Sequence, residues 1–201
     1  MLDATLRRVI DPPLDVAGRW LARRGVAANA VTVGGFAVGM TAIPALATGR
    51  YELALAAILA NRLADGLDGA IARAAGPSDL GGYLDIVLDF LFYSAVAFGV
   101  ALGRPDQAVW AAFLIFSFVG TGSAFLAYAI VAAKRGVTTA TRGRKSIYYL
   151  GGLAEGSETI IAFVLICLLP DAFPWIAGVF GAMCWITTAS RIGQAVRAFR
   201  D

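Results

Sequence analysis

Residues 65–89 read DGLDGAIARAAGPSDLGGYLDIVLD: two acidic pairs in an otherwise apolar stretch, one on each side of a Gly76-Pro77-Ser78 break. Asp65 and Asp68 are three apart and Asp85 and Asp89 four apart, so helical periodicity puts each pair on one face. The two pairs are almost symmetric about Pro77. Two antiparallel helices joined at that turn therefore bring all four carboxylates to one depth. A charged side chain inside a bilayer costs ~2.5–3.5 kcal/mol or more, so four together demand a counter-charge. A pair of divalent ions supplies it: helix axes ~8–10 Å apart leave room for inward carboxylates to hold ions ~3.5–4 Å apart. An all-oxygen ligand set favours Mg²⁺ or Mn²⁺ over zinc. Gly66, Gly69, Gly81 and Gly82 flank the carboxylates and clear side chains from the approach of a bulky ligand, and Arg73 lies within reach of a diphosphate held there.

The bilayer is inferred from composition. Of 201 residues, 59% are hydrophobic and 15% charged, against about 25% charged in a soluble domain. Mean hydropathy is +0.72. The pattern predicts an all-α membrane protein forming one domain over residues 1–201, with six transmembrane helices preceded by an N-terminal amphipathic juxtamembrane helix. Residues 1–24 form that surface segment, interrupted at Pro12-Pro13. The spans fall at about 29–48, 51–73, 80–102, 107–133, 146–169 and 174–196. Met1 is followed by Asp3, Arg7, Arg8 and Asp11 rather than an apolar core, so no cleaved signal peptide is expected. Histidine is absent, which excludes histidine-based acid–base or zinc chemistry. Cys167 and Cys184 sit in apolar runs and read as small core residues.

An even number of spans puts both termini on one side, and the basic residues choose it. Arg7, Arg8, Arg19, Arg23, Arg24, Arg73, Lys134, Arg135, Arg142, Arg144, Lys145, Arg191, Arg197 and Arg200 fall at one face, against Arg50 and Arg104 at the other. The first face is cytoplasmic, so the termini and the acidic cluster are expected inside the cytoplasmic membrane. The net charge of +3 then reflects topology and anionic lipid rather than nucleic acid.

The run from Asp65 to Asp89 resembles the signature of the CDP-alcohol phosphatidyltransferase family, D-x2-D-G-x2-A-R-x8-G-x3-D-x3-D. Asp65, Asp68, Gly69, Ala72, Arg73, Gly81, Asp85 and Asp89 fill its eight fixed positions, with one departure: seven residues instead of eight separate Arg73 from Gly81. Asn29-Ala30-Val31-Thr32 resembles the family's segment at the start of the first span. The resemblance implies that Asp65, Asp68 and Asp85 ligate two Mg²⁺ or Mn²⁺ ions, and that Asp89 touches the second ion and takes the proton of the acceptor alcohol. It implies that Asn29, Thr32, Gly69, Arg73, Ser78 and Gly81 hold the CDP part of a CDP-diacylglycerol donor. It also implies a homodimer, and transfer of a phosphatidyl-type group to a polar alcohol with release of CMP.

The acceptor is less legible. Arg142, Arg144, Lys145 and Arg191 suit an acceptor that carries a phosphate, which is the preferred reading. Glu155 and Glu158, three apart in the fifth span, suit either a cationic or polyhydroxyl head group or an ion pair with Arg191 or Arg144. A different class of function, a small transporter or cation channel relaying ions through intramembrane carboxylates, requires charges through the whole membrane thickness. Here the aspartates occupy only the cytoplasmic half of spans two and three.

Overall fold

A computed structural model of the chain describes residues 3–136 and 152–200. Among these residues all regular structure is helical: α1 (Asp3–Arg23), α2 (Ala28–Met40), α3 (Ala42–Ala47), α4 (Tyr51–Ala75), α5 (Asp79–Gly103), α6 (Ala108–Lys134), α7 (Gly156–Leu168) and α8 (Phe173–Phe199), with single 3-10 turns at Pro105–Gln107 and Pro170–Ala172. Four stretches are long and apolar enough to cross a membrane: Ala28–Ala47, Asp79–Gly103, Pro105–Lys134 and Pro170–Phe199. Helix α4 is as long as α5 but carries Glu52, Arg62, Asp65, Asp68 and Arg73, and those charges lower its hydropathy.

Differences from the expected boundaries have local causes. The first span is broken at Thr41 because Pro44 lacks the N–H that would bond the Met40 carbonyl; the Thr41 hydroxyl instead donates to the Val38 carbonyl at 2.6 Å. The N-terminal segment is one continuous helix through Pro12 and Pro13 rather than two pieces. Both prolines, and the Arg8 and Val9 carbonyls they leave without an N–H partner, belong to exposed residues. The fifth helix begins at Gly156, ten residues later than expected. Residues 152–155 are non-helical, 146–151 lie outside the described residues, and Glu155 caps the helix.

The helix order places the turns in two groups. A Cβ at Gly103 would meet the Leu46 carbonyl and Ala47, and Arg104 pairs with Asp171, so the α3–α4, α5–α6 and α7–α8 connections meet at one end. At the other end Arg73 pairs with Asp15, and Arg135 donates to the Phe199 carbonyl at 3.2 Å. Between them lies an aromatic core in which Phe92, Phe163, Phe118 and Phe180 meet mostly edge to face, with centroids 6.1–6.4 Å apart.

Small residues set the helix spacing around the acidic end, as expected where lipid offers no hydrophobic drive between helices. Gly35 of α2 faces Ala64 of α4 with no room for a side chain, and a Cβ at Gly39 would lie 2.9 Å from the Asn61 side chain. On the opposite side of α4, a Cβ at Gly18 would lie 2.5 Å from that of Ala70, which draws α1 against α4.

A candidate metal and nucleotide centre

Helix α4 ends at Gly76, whose φ of 104° leaves the right-handed helical region, and Pro77 follows. The Ser78 hydroxyl then caps α5 by accepting from the Gly81 N–H at 3.0 Å. The break is short, so the two acidic pairs face each other. Asp65, Asp68 and Asp85 each offer a carboxylate oxygen, all within 4.8 Å of one another. One pocket is lined by Thr32, Asn61, Arg62 and all four aspartates, with Phe36 and Leu88 as its apolar wall.

The pocket suits a divalent ion for a reason beyond proximity. Asp68 is 6% exposed, and its Oδ2 is buried without a hydrogen-bond partner. Burying an unpaired charge is costly, and three converging carboxylates repel one another as well. A hard cation bound through Asp65, Asp68 and Asp85 relieves both costs.

The fourth carboxylate is held differently. Asp89 Oδ1 accepts from the Arg62 guanidinium at 2.7 Å, and Oδ2 accepts from the Tyr93 hydroxyl at 2.9 Å. Arg62 also lies 3.7 Å from Asp65 Oδ2 and donates to Tyr93 at 3.3 Å. It is fixed from behind by the Asn61 Oδ1, to which its Nε donates at 2.9 Å, while the Asn61 amide donates to the Gly35 carbonyl at 3.0 Å. Thus a buried chain Gly35–Asn61–Arg62–Asp89–Tyr93 runs alongside the three-aspartate group.

The residues matched to nucleotide contacts fall into two clusters beside this pocket and one position in it. Asn29, Ser78 and Gly81 form the first: a Cβ at Gly81 would lie 3.0 Å from Asn29 Oδ1 and 3.1 Å from Ser78 Oγ. Gly69 and Arg73 form the second; a Cβ at Gly69 would stand 3.3 Å from the Arg73 guanidinium, which pairs with Asp15 of α1 at 2.7 Å. Thr32 lines the pocket itself, where its hydroxyl bonds Asp68 and lies 3.1 Å from the Ala28 carbonyl.

Of the residues matched to the acceptor, Glu155, Glu158 and Arg191 do not line the acidic pocket. Arg142, Arg144 and Lys145 lie outside the described residues. Glu155 and Glu158 form a capping box at the start of α7, each side chain accepting from the other residue's backbone N–H. Arg191 on α8 donates to the Thr121 carbonyl at 2.9 Å and stacks over Phe125.

Sequence reading missed the roles of Asn61 and Tyr93 and left Arg62 open between neutralising a carboxylate and snorkelling to the interface. The available signal was Arg62 itself, a charge deep in an apolar run that needs an acidic partner. Tyr93, one turn beyond Asp89, carried no separate sign of its hydrogen bond.

Comparison with known proteins agrees with this geometry. The family model described as CDP-alcohol phosphatidyltransferase matches residues 25–190. An Escherichia coli (strain K12) protein named inner membrane protein YnjF is 51% identical over 193 residues, covering 96% of this chain and 94% of that protein. The archaetidylinositol phosphate synthase of Pyrococcus horikoshii is 31% identical over 192 residues, covering 94% of each. Among solved structures, a Mycobacterium tuberculosis phosphatidylinositol phosphate synthase with CDP-DAG bound superposes with a TM-score of 0.73 at 18% identity, covering 91% of this chain and 93% of that one. The same synthase in complex with manganese and citrate gives 0.68 at 20% identity, covering 90% and 87%.

Proposed function

This chain belongs to the CDP-alcohol phosphatidyltransferase family, and from that premise we propose that it moves a phosphatidyl-type group from CDP-diacylglycerol to the hydroxyl of a polar alcohol in phospholipid synthesis. The observation that carries the reading is the convergence of Asp65, Asp68 and Asp85 within 4.8 Å, with Asp89 in the same pocket. Bound CDP-DAG and manganese in structures of the mycobacterial relative support the donor and the ion class.

In this reading Asp65, Asp68 and Asp85 would hold Mg²⁺ or Mn²⁺, two ions in the full complex with Asp89 touching the second, and the ions would supply charge neutralisation of the diphosphate. Asn29, Ser78 and Gly81 on one side and Gly69 and Arg73 on the other hold the CDP moiety, with Thr32 between them. Arg73 reaches the nucleotide by leaving Asp15, an exposed pair that costs little to break. The acceptor oxygen attacks the β-phosphorus as its proton passes to Asp89. A new P–O bond forms, the bond from that phosphorus to the bridging oxygen breaks, and CMP departs with the electron pair. Arg62 and Tyr93 fix the Asp89 carboxylate so that a lone pair faces the pocket.

The acceptor carries a phosphate in this reading, held by Arg142, Arg144, Lys145 and Arg191. The archaetidylinositol phosphate synthases among the relatives favour that choice. Glu155 and Glu158 contribute by ordering the start of α7 on the same side. The protein works as a homodimer in the cytoplasmic membrane. Its six crossings are α2–α3, α4, α5, α6, α7 and α8, with α1 lying along the inner surface and the site opening to the cytoplasm.

The deciding experiment is CMP release from CDP-diacylglycerol by the purified protein with Mg²⁺ or Mn²⁺, across a panel of radiolabelled alcohols and alcohol phosphates. Asp89→Asn is expected to lower turnover by roughly 10²–10⁴-fold while leaving CDP-lipid binding measurable. Full turnover in that variant removes the assignment of the base, and metal-independent CMP release removes the mechanism.

A further inference from the structure

The four carboxylates of the pocket are not equivalent. Asp65, Asp68 and Asp85 converge on one another, and Arg62 lies at the other end of the group, 2.7 Å from Asp89 and 3.7 Å from Asp65. That guanidinium links one carboxylate on α4 to one on α5, so a cation already stands at the Asp89 end of the pocket. It is also built in: its side chain is 9% exposed, Asn61 holds it from behind, and its carbon lies 5.0 Å from the centre of the Phe92 ring and 5.4 Å from that of Tyr93.

We propose that Arg62 is a resident cation standing in the second cation position. The resting protein then takes one divalent ion tightly on Asp65, Asp68 and Asp85, and a second reaches Asp89 only against the guanidinium. The proposal rests on the functional reading above for the identity of the pocket, and it refines the number of ions held before substrate arrives.

Charge balance points the same way. Four carboxylates and one guanidinium leave three negative charges, one divalent ion leaves one, and a second makes the pocket net positive. An excess of positive charge there is unfavourable without an anion to offset it. The diphosphate of the donor is such an anion, so the second ion is most stable once that group is in place.

The test is Mn²⁺ binding to the full chain in detergent, without nucleotide, followed by electron paramagnetic resonance and calorimetry. The wild type is expected to bind one Mn²⁺ tightly and a second at least about tenfold more weakly. Arg62→Gln is expected to tighten the second site about tenfold or more and the first by less, with Arg62→Lys retaining the wild-type pattern. Asp89→Asn is expected to abolish the second site in either background.

Two Mn²⁺ of equal affinity in the wild type overturn the proposal, as does a weak second site that Arg62→Gln does not change. Should Arg62→Gln fail to fold, Arg62→Met carries the test. It keeps a long side chain without the charge, so the second site must tighten there too, and an unchanged second site overturns the proposal. A protein that releases CMP but binds two equal ions sinks this inference alone. One that binds a single tight ion yet never releases CMP from any donor sinks the functional reading alone.

Discussion

Substituting Asp68 by asparagine separates what the carboxylate costs the fold from what it does for the ion. Asp68 is 6% exposed, its Oδ2 has no hydrogen-bond partner, and oxygens of Asp65 and Asp85 lie within 4.8 Å. Asparagine has nearly the same shape, carries no charge, and offers an NH₂ group to those two acceptors. An unsatisfied buried polar group costs about 1–3 kcal/mol, and more when charged. With EDTA present, Asp68→Asn should therefore be more stable than the wild type by about 1–3 kcal/mol, a rise in Tm of roughly 2–10 °C for a chain of this size. With Mn²⁺ at about a thousand times its Kd the wild type gains about 4.1 kcal/mol, and the variant, with only two carboxylates left in the group, gains far less. The order of the two melting curves should cross between EDTA and Mn²⁺, read by tryptophan fluorescence in detergent. A variant that melts at or below the wild type in EDTA, or that gains as much from Mn²⁺, refutes the claim that the Asp68 carboxylate is a metal ligand.

Three further outcomes follow from the packing. Gly18→Ala places a Cβ 2.5 Å from that of Ala70 and 2.7 Å from its backbone carbon, so α1 must lift from α4 at a cost of about 1–3 kcal/mol, seen as faster proteolysis after Arg19 and Arg23; wild-type proteolysis would contradict it. Asn61→Leu removes the amide that donates to the Gly35 carbonyl and an acceptor from Arg62, and should lower stability by about 1–3 kcal/mol by thermal melting, with an unchanged Tm as the adverse result. Thr187→Val keeps shape but removes the oxygen that accepts from the Leu153 and Ala154 amides at 3.0 and 2.9 Å. It should cost about 2–4 kcal/mol and speed hydrogen exchange at those two amides, and unaltered exchange would count against it.

The acidic hairpin was legible because its information is local and periodic. Spacings of three and four, the near-symmetry about Pro77 and the glycine at position 76 specify two helices, a stop and one shared face. The pairing of Arg62 with Asp89 was not, because it joins residues on two helices and depends on which way one long side chain turns. Hydropathy alone runs the fifth helix on through Gly152, a poor helix former, whereas residues 152–155 are non-helical and α7 begins at Gly156. The Glu155-Gly-Ser-Glu158 pattern held the correction, since a glutamate at the cap and another at the third helical position satisfy each other's backbone donors. Acceptor specificity was legible in neither source: three of its four candidate cations lie outside the described residues, and Arg191 is engaged with a neighbouring helix.

Every residue lining the acidic pocket, from Thr32 to Asp89, comes from the first half of the chain. During synthesis the ion-binding hairpin is complete in sequence once residue 89 has left the ribosome. Later helices add the aromatic lid, where Phe118 and Phe163 close over Tyr93 with centroids 5.8 Å away. Contacts between near neighbours in sequence form fastest, so cotranslational insertion can present a cation-competent hairpin to the membrane interior before the remaining helices arrive to seal it.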